Sequence, residues 1–315
     1  MSSSRRFRWN EYALFGAIVV QAVIFALIAP GFLSLQNLIN ILLSIAVTGV
    51  LAVGMTVVMI TGGIDLGVGS VVALSGVLAA MVIAPTHSAI VAPLLAALGV
   101  GAVIGVINGS LVAYLRVPSF IVTLAMLTAA RGLAFLVSGG QSHGDLPDAF
   151  GVVGRSVVFG IPTPVIIMAL VMAGGSFLLR RTVYGRHVYA VGGNTEAAWL
   201  AGIDTRRVTW LAYLFDGLLV GLGGLMLASR LGAGVPSAGV QYELDVIAAC
   251  VVGGTSLNGG KGTIIGTLTG TAFIGILTNG LNLANVDPYV QKIALGVVIV
   301  LAVGGDKLGR RGETP

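Results

Sequence analysis

Few side chains in this chain of 315 residues could carry chemistry, and two of them stand where charge is costly. Asp216 lies well inside the apolar run 208–228. An acid within an apolar span is a functional-site hypothesis by default. It is expected to face a polar path or a polar partner; the plainer alternative is an acid neutralised in helix packing. Asp65 sits in a glycine-rich break, Thr61-Gly62-Gly63-Ile64-Asp65-Leu66-Gly67-Val68-Gly69-Ser70, between two apolar runs. It is expected to cap the run that follows, with contact to a passing solute as the alternative.

A second break, Val252-Gly253-Gly254-Thr255-Ser256-Leu257-Asn258-Gly259-Gly260-Lys261-Gly262, repeats the first. Gly62, Gly63, Leu66 and Gly69 recur at one constant offset as Gly253, Gly254, Leu257 and Gly260. Interrupted apolar segments in corresponding halves point to a transporter with an internal repeat. Gly62, Gly63, Gly253 and Gly254 have two readings. Either they form a path or hinge with bare backbone groups, tolerable only where these line protein or water, or they let helices cross closely.

Enzymic chemistry has little to work with. The spans hold no nucleophile–base pair, and the three His form no ligand-spaced cluster. Cys250, the single cysteine, lies in an apolar run and reads as a small buried hydrophobe. No catalytic residue, metal or cofactor is expected. The phosphate-binding pattern GxxxxGK[ST] is missing from the sequence, so any ATP hydrolysis must belong to another chain.

The elements that position these residues follow from composition. The chain is 56% hydrophobic and 9% charged, against about 25% charged for a soluble domain. Its mean hydropathy is +1.01. So few charges cannot cover a soluble surface of this size, so the solvent must be largely lipid. Apolar stretches near 12–30, 38–60, 66–84, 89–113, 117–138, 163–180, 208–228, 243–258, 262–281 and 288–305 approach the ~20 residues a crossing needs. About ten transmembrane helices are expected, with segments at the glycine breaks open to being half-spans. The fold class is an all-α polytopic membrane protein, a single transmembrane domain over 1–315. The first apolar stretch is too long for a signal-peptide core and lacks a cleavage site, so it reads as an uncleaved span.

Alternating sides from an inner start puts most of the 17 basic residues inside, among them Arg5, Arg6, Arg8, Arg116, Arg180, Arg181, Arg186, Arg206, Arg207 and Lys261. The positive-inside rule then places both termini in the cytoplasm. It also accounts for a pI near 9.7 without nucleic acid. Arg155 and Arg230 fall in outer loops, against that bias.

The inner connection, about 181–207, has the strongest local pattern. Gly192-Gly193 is expected to turn the chain and Asn194 to cap a short helix. Glu196 lies in its first turn, where the helix dipole favours an acid. Gly202 ends it. Ala197, Ala198, Leu200 and Ala201 offer a small apolar docking surface, or belong to a connector resting on the membrane.

At these residues the sequence resembles the ribose-type permease subunits of bacterial ABC importers, over almost its whole length. The first break resembles the family's GGIDLSVGS, and the inner loop its GGNxEAAxLxGI. Tyr242-Glu243-Leu244-Asp245 through Gly262 resembles YELDxIAAxxxGGxSLxGGxG. Asn108-Gly109, Pro118 to Leu124 and Arg131-Gly132 resemble its middle segment. The resemblance implies a bacterial inner-membrane permease that pairs with a second permease copy and sits on ATP-binding subunits. A periplasmic or extracellular sugar-binding protein would deliver the solute, a monosaccharide. By matching motif, coupling to the ATPase falls on Gly193, Asn194, Glu196, Ala197, Ala198, Leu200 and Gly202. Arg155 and Arg230 would then meet acidic groups of the binding protein, or else sit at the lipid headgroups. Three positions depart from the pattern: Gly67 replaces a usual Ser, Asp216 a small neutral residue, and Trp199 fills a variable place. An ion-coupled secondary transporter would share the repeats and the buried acid, though it needs no docking helix. A permease for nucleosides or another small polar solute also fits, and branched-chain amino-acid permeases share the general plan.

Overall fold

The computed structural model describes residues 3–83 and 90–311, with side chains from Leu14 to near position 301. The basic side chains at the two ends, Arg5, Arg6, Arg8, Lys307, Arg310 and Arg311, lie outside that description. The molecule is an all-α polytopic membrane protein. Its helices are α1 (Ser3–Ile28), α2 (Leu35–Ile60), α3 (Val68–Val82), α4 (Val91–Ala113), α5 (Ser119–Ser138), α6 (Thr163–Arg181), α7 (Val183–Gly193), α8 (Thr195–Leu200), α9 (Thr205–Leu231), α10 (Tyr242–Val252), α11 (Ile264–Leu283) and α12 (Pro288–Arg311). Among the described residues, α2, α4, α5, α6, α9 and α11 are long and apolar enough to cross a membrane.

The expected spans 66–84 and 243–258 come out shorter. α3 has 15 residues and α10 has 11, below the ~20 of a full crossing. Both border a glycine break, and the break takes up chain that the apolar pattern assigned to helix. The inner connection also differs from expectation. Gly192 and Gly193 do not turn the chain; they form the last residues of α7. The connection 139–162 carries a single 3-10 turn (Asp148–Val152) and a two-stranded hairpin, Val157–Val158 against Ile161–Pro162.

The core centres on α2 and α9. From Val50 to Ile60 every residue of α2 is buried, as is most of α9 from Asp216 to Ser229. α9 lies against α4 along glycines one turn apart. A Cβ on Gly101 would strike the Gly217 carbonyl, and one on Gly217 would strike the Gly101 carbonyl. Gly105 meets the Tyr213 carbonyl and Gly221 the Ala97 carbonyl in the same way. Small residues at this spacing let helix backbones touch where lipid supplies no hydrophobic drive. Trp210 secures one end of this helix pair by donating Nε1–H to Ser110 Oγ at 3.1 Å.

Candidate functional site

Both glycine breaks end their helices with the same motif. After α2, Gly62 is left-handed (φ +85°); its N–H donates to the Met59 carbonyl at 2.9 Å and Gly63 N–H to Val58 at 3.1 Å. After α10, Gly254 is left-handed (φ +86°); its N–H donates to Val251 at 2.9 Å and Thr255 N–H to Cys250 at 2.9 Å. These are paired Schellman caps, which favour glycine because a Cβ is strained at positive φ. The equivalence in space is Gly62 with Gly254, one residue off the register that pairs Gly62 with Gly253. Gly253 instead serves helix packing, since a Cβ there would strike the Gly266 carbonyl of α11.

The breaks converge on the end of α7. Gly260 N–H donates to the Ile60 carbonyl at 2.9 Å, joining the second break to the last turn of α2. Gly192 packs between them, so close that a Cβ would overlap the Ile60 carbonyl and come within 2.6 Å of Gly260 N. A Cβ on Gly259 would lie 2.8 Å from the Gly192 carbonyl and 3.0 Å from Gly62 N. Tyr189 of α7 donates its hydroxyl to the Gly262 carbonyl at 2.7 Å. Burial raises the Tyr189 pKa above its usual value, with the nearby positive charge of Arg180 opposing this. Gly62, Gly192, Gly259 and Gly260, distant in sequence, thus form one backbone seam.

α8 hangs from this seam. Asn194 stops α7 with extended backbone (φ −159°) and accepts from Ala197 N–H at 2.9 Å, so it caps α8 as expected. Thr195 Oγ1–H donates back to the Val191 carbonyl at 2.9 Å, tying α8 to α7. Gly202 N–H and Ile203 N–H close the helix on the Trp199 and Ala198 carbonyls. Gly193, Asn194, Glu196, Ala197, Leu200 and Gly202 are exposed. Ala198 is not: it is buried against the rest of the protein. Trp199 and Leu200 are 65% and 72% exposed. Beside them a groove of about 950 Å³ runs along Tyr114, Arg116, Glu196, Trp199 and Arg206.

A buried polar cluster adjoins the first break. Asp65 and Asp216 stand side by side, with the Asn108 amide next to Asp65. Gly67 N–H donates to Asp65 Oδ1 at 2.6 Å. Gly67 is itself the N-cap of α3, whose first turn has no side-chain cap. Asp65 thus closes the turn into the helix rather than capping it. The Asp216 carboxylate fits only because α2 carries Gly54 opposite it. Tyr213 and Thr123 both donate to the Ile64 carbonyl, at 3.2 and 3.3 Å. Asp216 meets Asp65 in this cluster. Cys250 is fully buried as expected, its thiol 3.4 Å from Thr56 Oγ1, which bonds Thr267 Oγ1 at 2.6 Å.

The two arginines expected in outer loops differ in their settings. Arg155 is exposed. Arg230 is half-buried and donates to the Leu43 carbonyl of α2 at 2.9 Å, so it is committed to the fold rather than free at the surface. Arg131, which the sequence left without a role, donates to the Pro236 and Ala238 carbonyls at 2.8 and 2.7 Å and pins the loop between α9 and α10. The 3-10 turn docks through Gly154 N–H, which donates to Ser229 Oγ at 2.7 Å.

Comparison with known proteins identifies the architecture. Residues 37–303 match the family model described as branched-chain amino acid transport system / permease component. The ribose import permease protein RbsC of Escherichia coli K12 is 44% identical over 91% of this chain and 90% of its own length. The L-arabinose ABC transporter permease protein AraH of Azospirillum brasilense is 41% identical over 96% and 90%. The xylose transport system permease protein XylH of Escherichia coli K12 is 36% identical over 95% and 92%. No solved structure matches the chain. The chain therefore belongs to the permease family that these proteins represent, a multi-pass transport component of the membrane and not an enzyme.

Proposed function

We propose that this chain is the membrane subunit of an ATP-driven importer for a monosaccharide, a pentose before a hexose or deoxy sugar. The observation that carries the substrate class is the naming of its relatives for ribose, arabinose and xylose. Carrying a sugar through lipid unaided would strip its hydroxyls of hydrogen bonds at about 2–7 kcal/mol each. The permease supplies a route open to one side at a time, within one transmembrane domain over 1–315.

The chain works as a pair with a second copy, in the bacterial inner membrane, with ten crossings and half-spans and both termini in the cytoplasm. A separate ATP-binding subunit receives α8, where Glu196, Ala197, Trp199 and Leu200 face outward and Asn194 and Gly202 set the ends. Ala198 anchors the helix from the inner side. Movement of α8 passes through Gly192 into Ile60 and Gly260, so both breaks feel it together. The two breaks act as the hinges of the path, with Gly62, Gly63 and Gly254 forming the turns and Gly253 held against α11. A sugar-binding protein outside docks near Arg155.

Reconstitution in liposomes with a candidate ATP-binding subunit and sugar-binding protein tests this reading. Labelled pentose uptake is expected to require ATP and to persist with a proton or sodium ionophore. Uptake abolished by the ionophore would establish an ion-coupled carrier instead, and uptake of a nucleoside in preference would change the solute class.

A further inference from the structure

The cluster around Asp216 does not balance electrically. Asp65 is 5% exposed, and Asp216 and Asn108 are 0%. Neither oxygen of Asp216 and neither amide atom of Asn108 makes a well-aligned hydrogen bond, although both groups lie within reach of Asp65. The groups acting on the two carboxyls are each other, Asn108 and the Gly67 N–H; no basic side chain is among them. The titratable neighbours are Tyr213 on α9 and Cys250 on α10. The Tyr213 hydroxyl is already engaged with the Ile64 carbonyl, and the Cys250 thiol with α2. Against α2 the acid meets Gly54, which brings no charge.

Two adjacent carboxylates out of water cannot both stay ionised without compensation. The Asn108 amide is a second, uncharged group left open in the same cluster, and buried amides are ordinarily satisfied. We propose that Asp65, Asp216 and Asn108 form a binding site for one small monovalent cation, a sodium ion held by carboxylate and amide oxygens or a proton shared by the two carboxyls. Asp216 is the residue that makes the site, because the break motif alone supplies only Asp65. The site joins the first break to α4 and α9, so its occupancy fixes α3 against the core. The inference needs only this fold, not the proposed substrate or ATPase, and its test involves no transport.

The full-length permease in lipid nanodiscs is melted in sodium chloride and in choline chloride at equal ionic strength, and across buffers from acidic to alkaline. A melting temperature several degrees higher in sodium, with the shift absent in Asp216→Asn, identifies the ion. Melting that is indifferent to sodium but falls toward alkaline buffer identifies the proton. In that case the pH slope and the infrared carboxylic-acid band both disappear in Asp216→Asn. Asp65→Asn repeats the test from the other side and keeps an amide oxygen for the Gly67 N–H. Wild-type melting that responds to neither sodium nor pH overturns the proposal, as does a response that both variants retain.

Discussion

The two glycine breaks stop their helices identically and start the next ones differently. Gly62 and Gly254 carry the same left-handed cap and the same pair of hydrogen bonds. Beyond that point the first break is short and places Asp65 against the Gly67 N–H. The second is longer: it reaches back through Gly259, Gly260 and Gly262 to α2 and α7, then starts α11 on a Thr263 side-chain cap. One break builds a polar cluster within the core, and the other builds a link to α2 and α7. A shared stop signal leaves the following residues free to take separate roles.

The link is the easier half to break. Gly192→Ala puts a methyl group into the Ile60 carbonyl, an overpacking that costs about 1–3 kcal/mol. Its melting temperature should fall, and coupled uptake should drop relative to ATP hydrolysis in the assembled complex. Gly193→Ala is the control, since nothing lies within 4 Å of the added carbon. Equal behaviour of the two variants in an uptake-to-hydrolysis ratio would remove the seam from the coupling route.

The register of the comparison can be sharpened next. Gly62→Ala and Gly254→Ala both force a side chain to positive φ with open space around it, and each should lose about 1 kcal/mol. Gly253→Ala should lose more, because its Cβ strikes the Gly266 carbonyl. Thermal melting of the purified full chain ranks the three. If Gly62 and Gly253 behave alike and Gly254 does not, the caps are not equivalent as described. On the second break, Thr263→Ala removes the hydroxyl that accepts from Gly266 N–H at 2.9 Å and should cost about 1 kcal/mol. The first break offers no matching side chain at the start of α3.

These differences set what the sequence can reveal. Apolar run length marked α2, α4, α5, α6, α9 and α11, because a helix that crosses a membrane must be apolar along its length whether it meets lipid or its neighbours. It overstated α3 and α10, because a break buried in protein looks as apolar as the helix it interrupts. Capping chemistry at Asn194 and Gly202 is local and was legible. The fate of Ala198 was not, since a small apolar residue reads alike whether it faces a partner or the core. Pairing of Asp65 with Asp216 rests on α9 meeting α3 and α4 in space, which no spacing in the chain encodes. The same holds for Gly192: the glycine was visible, and the carbonyl it makes room for was not.

Smaller effects should come from groups that hold one contact each. Tyr189→Phe deletes a single hydrogen bond to Gly262 and should cost about 1 kcal/mol, read as a lower melting temperature with a lower uptake-to-hydrolysis ratio. Arg155 and Arg230 give a contrast of the same kind as the two breaks. They share a residue type but not a role. Arg155→Glu changes an exposed charge, which acts on encounter more than on affinity. Stimulation of ATP hydrolysis by loaded binding protein should weaken a few-fold at low salt and recover as salt screens the charge. Arg230→Glu instead removes the donor to the Leu43 carbonyl, so its cost should appear as a lower melting temperature that salt does not restore. A salt-sensitive stimulation defect in Arg230→Glu with unchanged melting would reverse the two assignments.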